Sequence, residues 1–331
     1  MTLHIFNPSH DEALGFGSPY YVPTKAAQRM AAERCTLPEL WAAAGDFILL
    51  PDECERPVAS VAGVNYVYKR ELTPTLLQQI SHIQPWGWDA YLRHTLRRCG
   101  VSDELLPSDE YLADLRRLSS RETAVRLLNA LKSANPEYTG EAHWCTTLDD
   151  AVTAINRYPQ AMVKSPWSSS GRGVFRVDAD AFDAPTLQRI ANIVRQHGGV
   201  AVERYYNRLQ DFALEFYARP DGSIEYAGLS VFNTSVGGNY LGNIPGTQAE
   251  LQQLLAHHYP WSRIEECIGL LSTLLPQQFE GKYAGPFGID MMLVNEASEV
   301  KLNPCVEINL RNTMGHVQLM MQQRECKHPA L

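Results

Sequence analysis

The sequence contains no apolar run of membrane-spanning length, and no basic leader precedes its first apolar stretch, "LHIF" at residues 3–6. Neither a membrane helix nor a secretory signal is therefore expected. Its seven cysteines, at 35, 54, 99, 145, 267, 305 and 326, are odd in number and never spaced C-x-x-C. Neither a zinc site nor a disulfide framework is expected, and the reducing cytoplasm is the expected compartment. Positive charge is also in deficit: 29 Lys and Arg against 37 Asp and Glu give a formal net charge of -8. That balance argues against a nucleic-acid partner held by phosphate neutralisation, while leaving room for a local basic pocket. Internal repeats and low-complexity segments are missing as well. What is present is 331 residues with 45% hydrophobic composition, enough to bury more than one core.

Pattern divides the chain. The first part runs "LHIF", a loop, the helical "TKAAQRMAAERC" and the apolar "DFILLP", which reads as strand, helix and strand of an α/β layer. From Pro74 to about Lys132 the apolar spacing is helical, in "TPTLLQQISHI", "WDAYLRHTLRRCG" and "SSRETAVRLLNALKS". Between "TGEAHWCTT" and "GGVAVERYY" the order is strand, helix, strand, glycine loop, strand, helix, strand. Alternating residues on either side of Pro220, Asp221 and Gly222 predict an antiparallel hairpin. Two helices follow, then the strands "GPFGIDMMLV" and "EVKLNPCVEINL", and a last helix from Met314. The expected class is α/β at the front and α+β behind.

The glycine loop carries the first chemical signal. In "AMVKSPWSSSGRGVFRV" (161–177), Lys164 ends one strand pattern, and Ser168, Ser169, Ser170, Gly171, Arg172 and Gly173 lead into the next. Backbone N–H groups and hydroxyls in such a loop can converge on phosphate oxygens, with the lysine as a point charge beside them. An ordinary hairpin with Lys164 guarding a sheet edge fits the same residues. The order is not that of a Walker A loop, a dinucleotide fingerprint or a hydrolase elbow.

The second signal lies in "GIDMMLV" and "CVEINLRNTMG". Glu307 and Asn309 are two apart and so share a face on a strand, with Arg311 next in the series and Asp290 on the strand before. Two carboxylates and an amide oxygen on one face form a hard-oxygen site suited to Mg²⁺. A solvated strand face neutralised by Arg311 is the bland alternative, and the apolar runs on either side weigh against it.

Lys164 before a Ser/Gly hairpin, "VERYY", "DFALEF", "GPFGIDMMLV" and "VEINLR", in that order over roughly residues 120–320, resemble the ATP-grasp ligases. The resemblance implies an N-terminal α/β and helical pre-domain (1–118), a small lid subdomain (119–205) and a large subdomain with metal-binding strands (206–331). ATP would lie between two antiparallel sheets. It implies that Lys164 and the 168–173 loop contact the phosphates, Glu203 and the backbone to Tyr205 hold adenine, and Asp211 takes the ribose. Asp290, Glu307 and Asn309 would bind Mg²⁺, and Arg311 would face the transferred phosphate. Where many members carry a second phosphate-binding lysine, this chain offers Arg121 and Arg126, and the sequence leaves the choice open.

The implied activity is an ATP-dependent ligase forming a C–N bond through an acyl phosphate, with Arg311 and Lys164 stabilising developing charge. A small amino acid or peptide-like carboxylate and an amine are the expected partners, with no nucleic acid or membrane and with a homodimer as the candidate assembly. A small-molecule kinase and a non-catalytic nucleotide-binding regulator are the alternatives. The segments His10–Tyr21, expected as a loop after the first strand, and 233–246, rich in Gly and Asn, are candidate acceptor loops. A helix cap at Ser9–Glu12 fits the first equally well, and a plain connection fits the second.

Overall fold

The computed structural model describes residues 1–331 except 61, 168–172, 182, 236, 237, 239 and 328–331, and for 325–327 the backbone only. The chain divides into two compact units, one of Met1–Arg116 with Met320–Leu331, the other of Arg117–Leu319.

The first unit is built on strands β1 (Thr2–Ile5), β2 (Phe47–Leu50), β3 (Asn65–Tyr68) and β4 (His82–Pro85), all parallel in the order β3-β2-β1-β4. "FILL" is apolar throughout because both faces of this sheet are covered. Phe47 and Leu49 join Leu3, Ile5 and Leu96 in one core, while Ile48 and Leu50 join Tyr66, Tyr68 and Cys35 in another. The helices are α1 (His10–Phe16), α2 (Lys25–Glu33), α3 (Pro74–Leu77), α4 (Ala90–Arg98) and α5 (Asp109–Leu118).

Two expectations are corrected here. "TPTLLQQISHI" is helical only over α3, and its end turns into β4, where Ile83 pairs with Leu3 and is 3% exposed. Pairing to β1 outweighs the local helical spacing, and Pro85 is tolerated because β4 is an edge strand. Within His10–Tyr21, residues 10–16 form α1 instead of a loop, closed by Gly17 in the left-handed region at φ 68°. Ser9 precedes it without a side-chain capping bond.

The second unit contains two antiparallel sheets. In the smaller, β5 (Ala142–Cys145), β6 (Gln160–Lys164), β7 (Val174–Asp178) and β8 (Val200–Arg204) lie in the order β5-β8-β6-β7. The larger holds β9 (Arg208–Ala218), β10 (Ile224–Thr234), β11 (Tyr240–Asn243), β12 (Gly285–Glu296) and β13 (Glu299–Asn309) in the order β11-β10-β9-β12-β13. Around them lie α6 (Arg121–Ala134), α7 (Leu148–Ile155), α8 (Ala184–His197), α9 (Gln248–Ala256), α10 (Trp261–Phe279) and α11 (Met314–Lys327). The strand–helix order read between residues 138 and 206 holds, as does the hairpin at 220–222. β11 is an addition inside 233–246, so that stretch is not purely a loop. No helix among the described residues is long and apolar enough to cross a membrane.

Each sheet of this unit has one greasy and one polar face, as strand alternation dictates. In the small sheet Ala161, Val163, Val200 and Val202 pack with Ala151, Ile155 and Ile190 from α7 and α8. In the large sheet Phe212, Leu214 and Phe216 are fully buried, and Phe216 stacks on Phe287, which meets Phe279 of α10. The intervening residues point the other way, and they include nearly every polar residue singled out above.

Candidate active site

The polar face of the large sheet is a grid fixed by backbone pairing. Across β9, β12 and β13 one row reads Ala213, Asp290, Glu307 and the next Glu215, Gly288, Asn309. Asp211 is two residues before Ala213 on β9 and so shares this face. The β12–β13 ladder is irregular between Asp290 and Met292, and Pro304 of β13 lies in that irregularity, where the missing N–H breaks no ladder bond.

Asp290 and Glu307 are thus direct cross-strand partners, like charges facing each other. Asp290 is enclosed by the sheet face yet still reached by solvent. Burial pushes its carboxyl up to about 8, with Glu307 and then Glu215 adding to the effect, against Arg311 and a hydrogen bond with Asn309. Among the described residues no group of three or more His, Cys, Asp or Glu is arranged to hold a metal. The donors here are two carboxylates and the Asn309 amide, a set that suits Mg²⁺, which takes one or two carboxylates and completes its shell with water and phosphate oxygens.

Two cations frame these acids. Arg121, at the start of α6 and 5% exposed, places Nη2 2.9 Å from Glu307 Oε1 and donates from Nε to the Ser165 carbonyl at 3.1 Å. It ties β13 to the exit of β6. Arg126 instead donates to Thr123 Oγ1 at 3.3 Å, within its own helix. Arg311, just past β13, donates from Nη2 to Asn309 Oδ1 at 3.0 Å.

The small sheet contributes Lys164 and Glu203. Lys164 ends β6, on the face opposite Val163, and its Nζ lies 2.6 Å from Glu203 Oε2 on β8. Both residues are buried. Cys305 on β13 is a buried thiol pushed up by burial and then by the charges of Glu203, Cys267 and Asp290, against Lys164. Asp211 is raised by burial, opposed by the Thr234 hydroxyl it accepts from at 2.5 Å, by Arg208 at 3.1 Å and by Lys164. Tyr205 donates its backbone N–H to the Gln160 carbonyl at 3.0 Å, and the Arg176 guanidinium lies 5.5 Å from its ring centre.

Ser168, Ser169, Ser170, Gly171 and Arg172 lie outside the described residues, and with them the expected covering loop. Its described edge is the bond from Ser165 N–H to the Gly173 carbonyl at 2.8 Å, with Gly173 at φ 76°. Sequence reasoning missed Glu215. It occupies the third position, after Asp211 and Ala213, on the outward-alternating side of "DFALEF", and its partners Thr313 and His316 come from a distant part of the chain.

Comparison with solved structures places the fold. The biotin carboxylase of Campylobacter jejuni, as a β,γ-ATP complex, matches 96% of this chain over 67% of its own length, at 14% identity and a TM-score of 0.55. The biotin carboxylase domain of 2-oxoglutarate carboxylase from Hydrogenobacter thermophilus, with MgADP, ADP and bicarbonate, matches 97% over 68%, at 13% identity and a TM-score of 0.55. The chain has the ATP-grasp fold. No family model and no curated protein sequence matches it. The two antiparallel sheets expected of that fold are the β5–β8 and β9–β13 sheets, and the α/β layer expected at the front is the parallel β1–β4 sheet.

Proposed function

We propose that the protein is an ATP- and Mg²⁺-dependent ligase that joins a carboxylate to an amine. The observation that carries this reading is the single sheet face bearing Asp211, Asp290, Glu307 and Asn309, with Lys164 and Glu203 on the polar face of the second sheet, in an ATP-grasp fold. Glu203 with the backbone at Tyr205 would take adenine, Asp211 the ribose, and Lys164 the phosphates, exchanging part of its contact with Glu203 for phosphate oxygens. Mg²⁺ held by Asp290, Glu307 and Asn309 would neutralise charge on the phosphate oxygens.

Arg311 then lies at the end of the phosphate row, where a planar two-toothed donor suits the phosphoryl group in transit. Attack of a substrate carboxylate on the γ-phosphate makes an acyl phosphate and ADP. An amine then displaces phosphate, and no side-chain nucleophile is needed. Arg121, bound to Glu307 and Ser165, holds a carboxylate donor and the strand exit in place. The neighbours' complexes with a β,γ-ATP ligand and with MgADP support a nucleotide as the ligand.

The test is ADP formation by the purified protein against pooled carboxylic acids and amines, with mass spectrometry of the products. Free phosphate and a condensed product support a ligase. A stable phosphorylated product makes the protein a kinase on the same scaffold, and nucleotide binding with no turnover on any pool makes it a regulator.

A further inference from the structure

We infer that Glu215 is a positioning residue, whose buried carboxylate fixes Thr313 and the start of α11 and thereby the turn carrying Arg311. The inference rests on the nucleotide-site reading above.

Glu215 sits in the middle of β9 and is 1% exposed. Its register partners on the adjacent strands are both glycines, Gly228 on β10 and Gly288 on β12. A Cβ on Gly288 would come 2.6 Å from Oε2, and one on Gly315 of α11 would come 1.9 Å from Oε1. The carboxylate occupies space that these glycines leave open.

The contacts of that carboxylate hold its neighbours in place. Ser230 Oγ donates to Oε1 at 2.8 Å, and Thr313 Oγ1 donates to Oε2 at 2.8 Å. His316 Nδ1 is 3.2 Å from Oε2, and its Nε2 donates to the Phe216 carbonyl at 3.2 Å. A carbonyl can only accept, so the Nε2 proton is fixed and the ring cannot turn. The His316 backbone N–H donates to Thr313 Oγ1 at 3.1 Å. The first turn of α11 is therefore pinned to β9 through one carboxylate.

Arg311 lies two residues before Thr313. Its backbone N–H donates to the Asn309 carbonyl at 2.9 Å, its Nη2 to Asn309 Oδ1 at 3.0 Å, and its Nη1 to the Asn312 carbonyl at 3.1 Å. The turn is held by Asn309 on one side and by Glu215 on the other. Along β9, Glu215 is two residues beyond the row of Asp290 and Glu307, on the side away from Asp211, or about 7 Å at ordinary strand rise. In the reading above, that is the end at which the transferred phosphoryl group would meet its acceptor.

A gap in a sheet is filled more cheaply by an aliphatic side chain than by a carboxylate. A buried acid with directional partners instead selects one arrangement of the turn, and a guanidinium that must meet charge in the transition state benefits from that rigidity.

The experiment compares calorimetric binding of MgADP alone with binding of MgADP plus fluoroaluminate, a mimic of the phosphoryl group in flight. The proteins are wild type, Glu215→Gln, Thr313→Val, Arg311→Lys and the Glu215→Gln/Arg311→Lys double variant. Wild type, Glu215→Gln and Thr313→Val should bind MgADP within about twofold of one another. Fluoroaluminate should tighten wild-type binding, and each single variant should lose about tenfold of that gain. The double variant should be no worse than its singles, because the two residues act as one unit. Thr313→Val keeps the Glu215 carboxylate and serves if Glu215→Gln does not fold. Ser230→Ala, which touches the carboxylate but not the turn, should keep the gain. A wild type that fails to bind MgADP overturns both the nucleotide reading and the inference. Wild-type tightening retained in Glu215→Gln, or in Thr313→Val, overturns the inference alone.

Discussion

Asp290 and Glu307 are direct partners across the β12–β13 pair, with Asn309 on the same face and in line with Gly288. Two carboxylates placed face to face repel unless a proton or a cation lies between them. The structure meets that in part through Arg121 at Glu307 and in part through Asp290, whose carboxyl burial and Glu307 push up to about 8.

Glu307→Gln keeps the shape but removes one charge. Nucleotide binding should then require about tenfold more Mg²⁺ at half-saturation, with an unchanged melting temperature or a small rise. A Mg²⁺ titration monitored by calorimetry at fixed ADP checks this, and an unshifted midpoint returns the acids to a solvated strand face.

Lys164→Ala should act on stability and on binding, because it strips Glu203 of its partner inside the protein. Breaking a buried pair costs about 3 kcal/mol, visible as a lower denaturation midpoint, and loss of the phosphate contact should weaken ATP binding tenfold or more. Combining Lys164→Met with Glu203→Gln should recover most of the stability without restoring affinity. Recovery of both would show that Lys164 is only a structural partner.

His4 and His143 give the stability a pH slope. Burial lowers both pKa values below 6.5, most directly at His4, which is 2% exposed and bonds Asp46 through Nε2 at 3.1 Å. The folded state therefore binds fewer protons than the unfolded chain as pH falls below 6.5, and stability falls with it. Asp46 is held below 3.8 by the Thr2 backbone N–H and by His4 against its own burial, so its contribution persists until pH drops below 3.8. The melting temperature should decline from pH 7 to pH 5, and His4→Gln should flatten part of that decline. An equal slope in the variant contradicts the assignment.

Much of this was legible in the sequence because it is local. The two-residue spacing in "VEIN", the turn residues of the 220–222 hairpin and the strand–helix alternation through residues 142–204 each follow from neighbouring positions. The misses are non-local. β4 was read as helix since only pairing with β1 makes "HIQP" a strand, and β11 hid among Gly and Asn because β10 supplies its ladder. The pairing of Arg121 with Glu307 joins residues far apart in the chain, and Glu215 needed Thr313 and His316. "DFALEF" alternates two acids with apolar residues, and nothing local says that the second is buried.

The most direct test of the account is a calorimetric titration of the wild-type protein with ATP, once in excess Mg²⁺ and once in excess chelator. The account predicts one nucleotide bound per chain with Mg²⁺ and binding at least tenfold weaker without it. No binding in Mg²⁺, or the same affinity in both solutions, would contradict it.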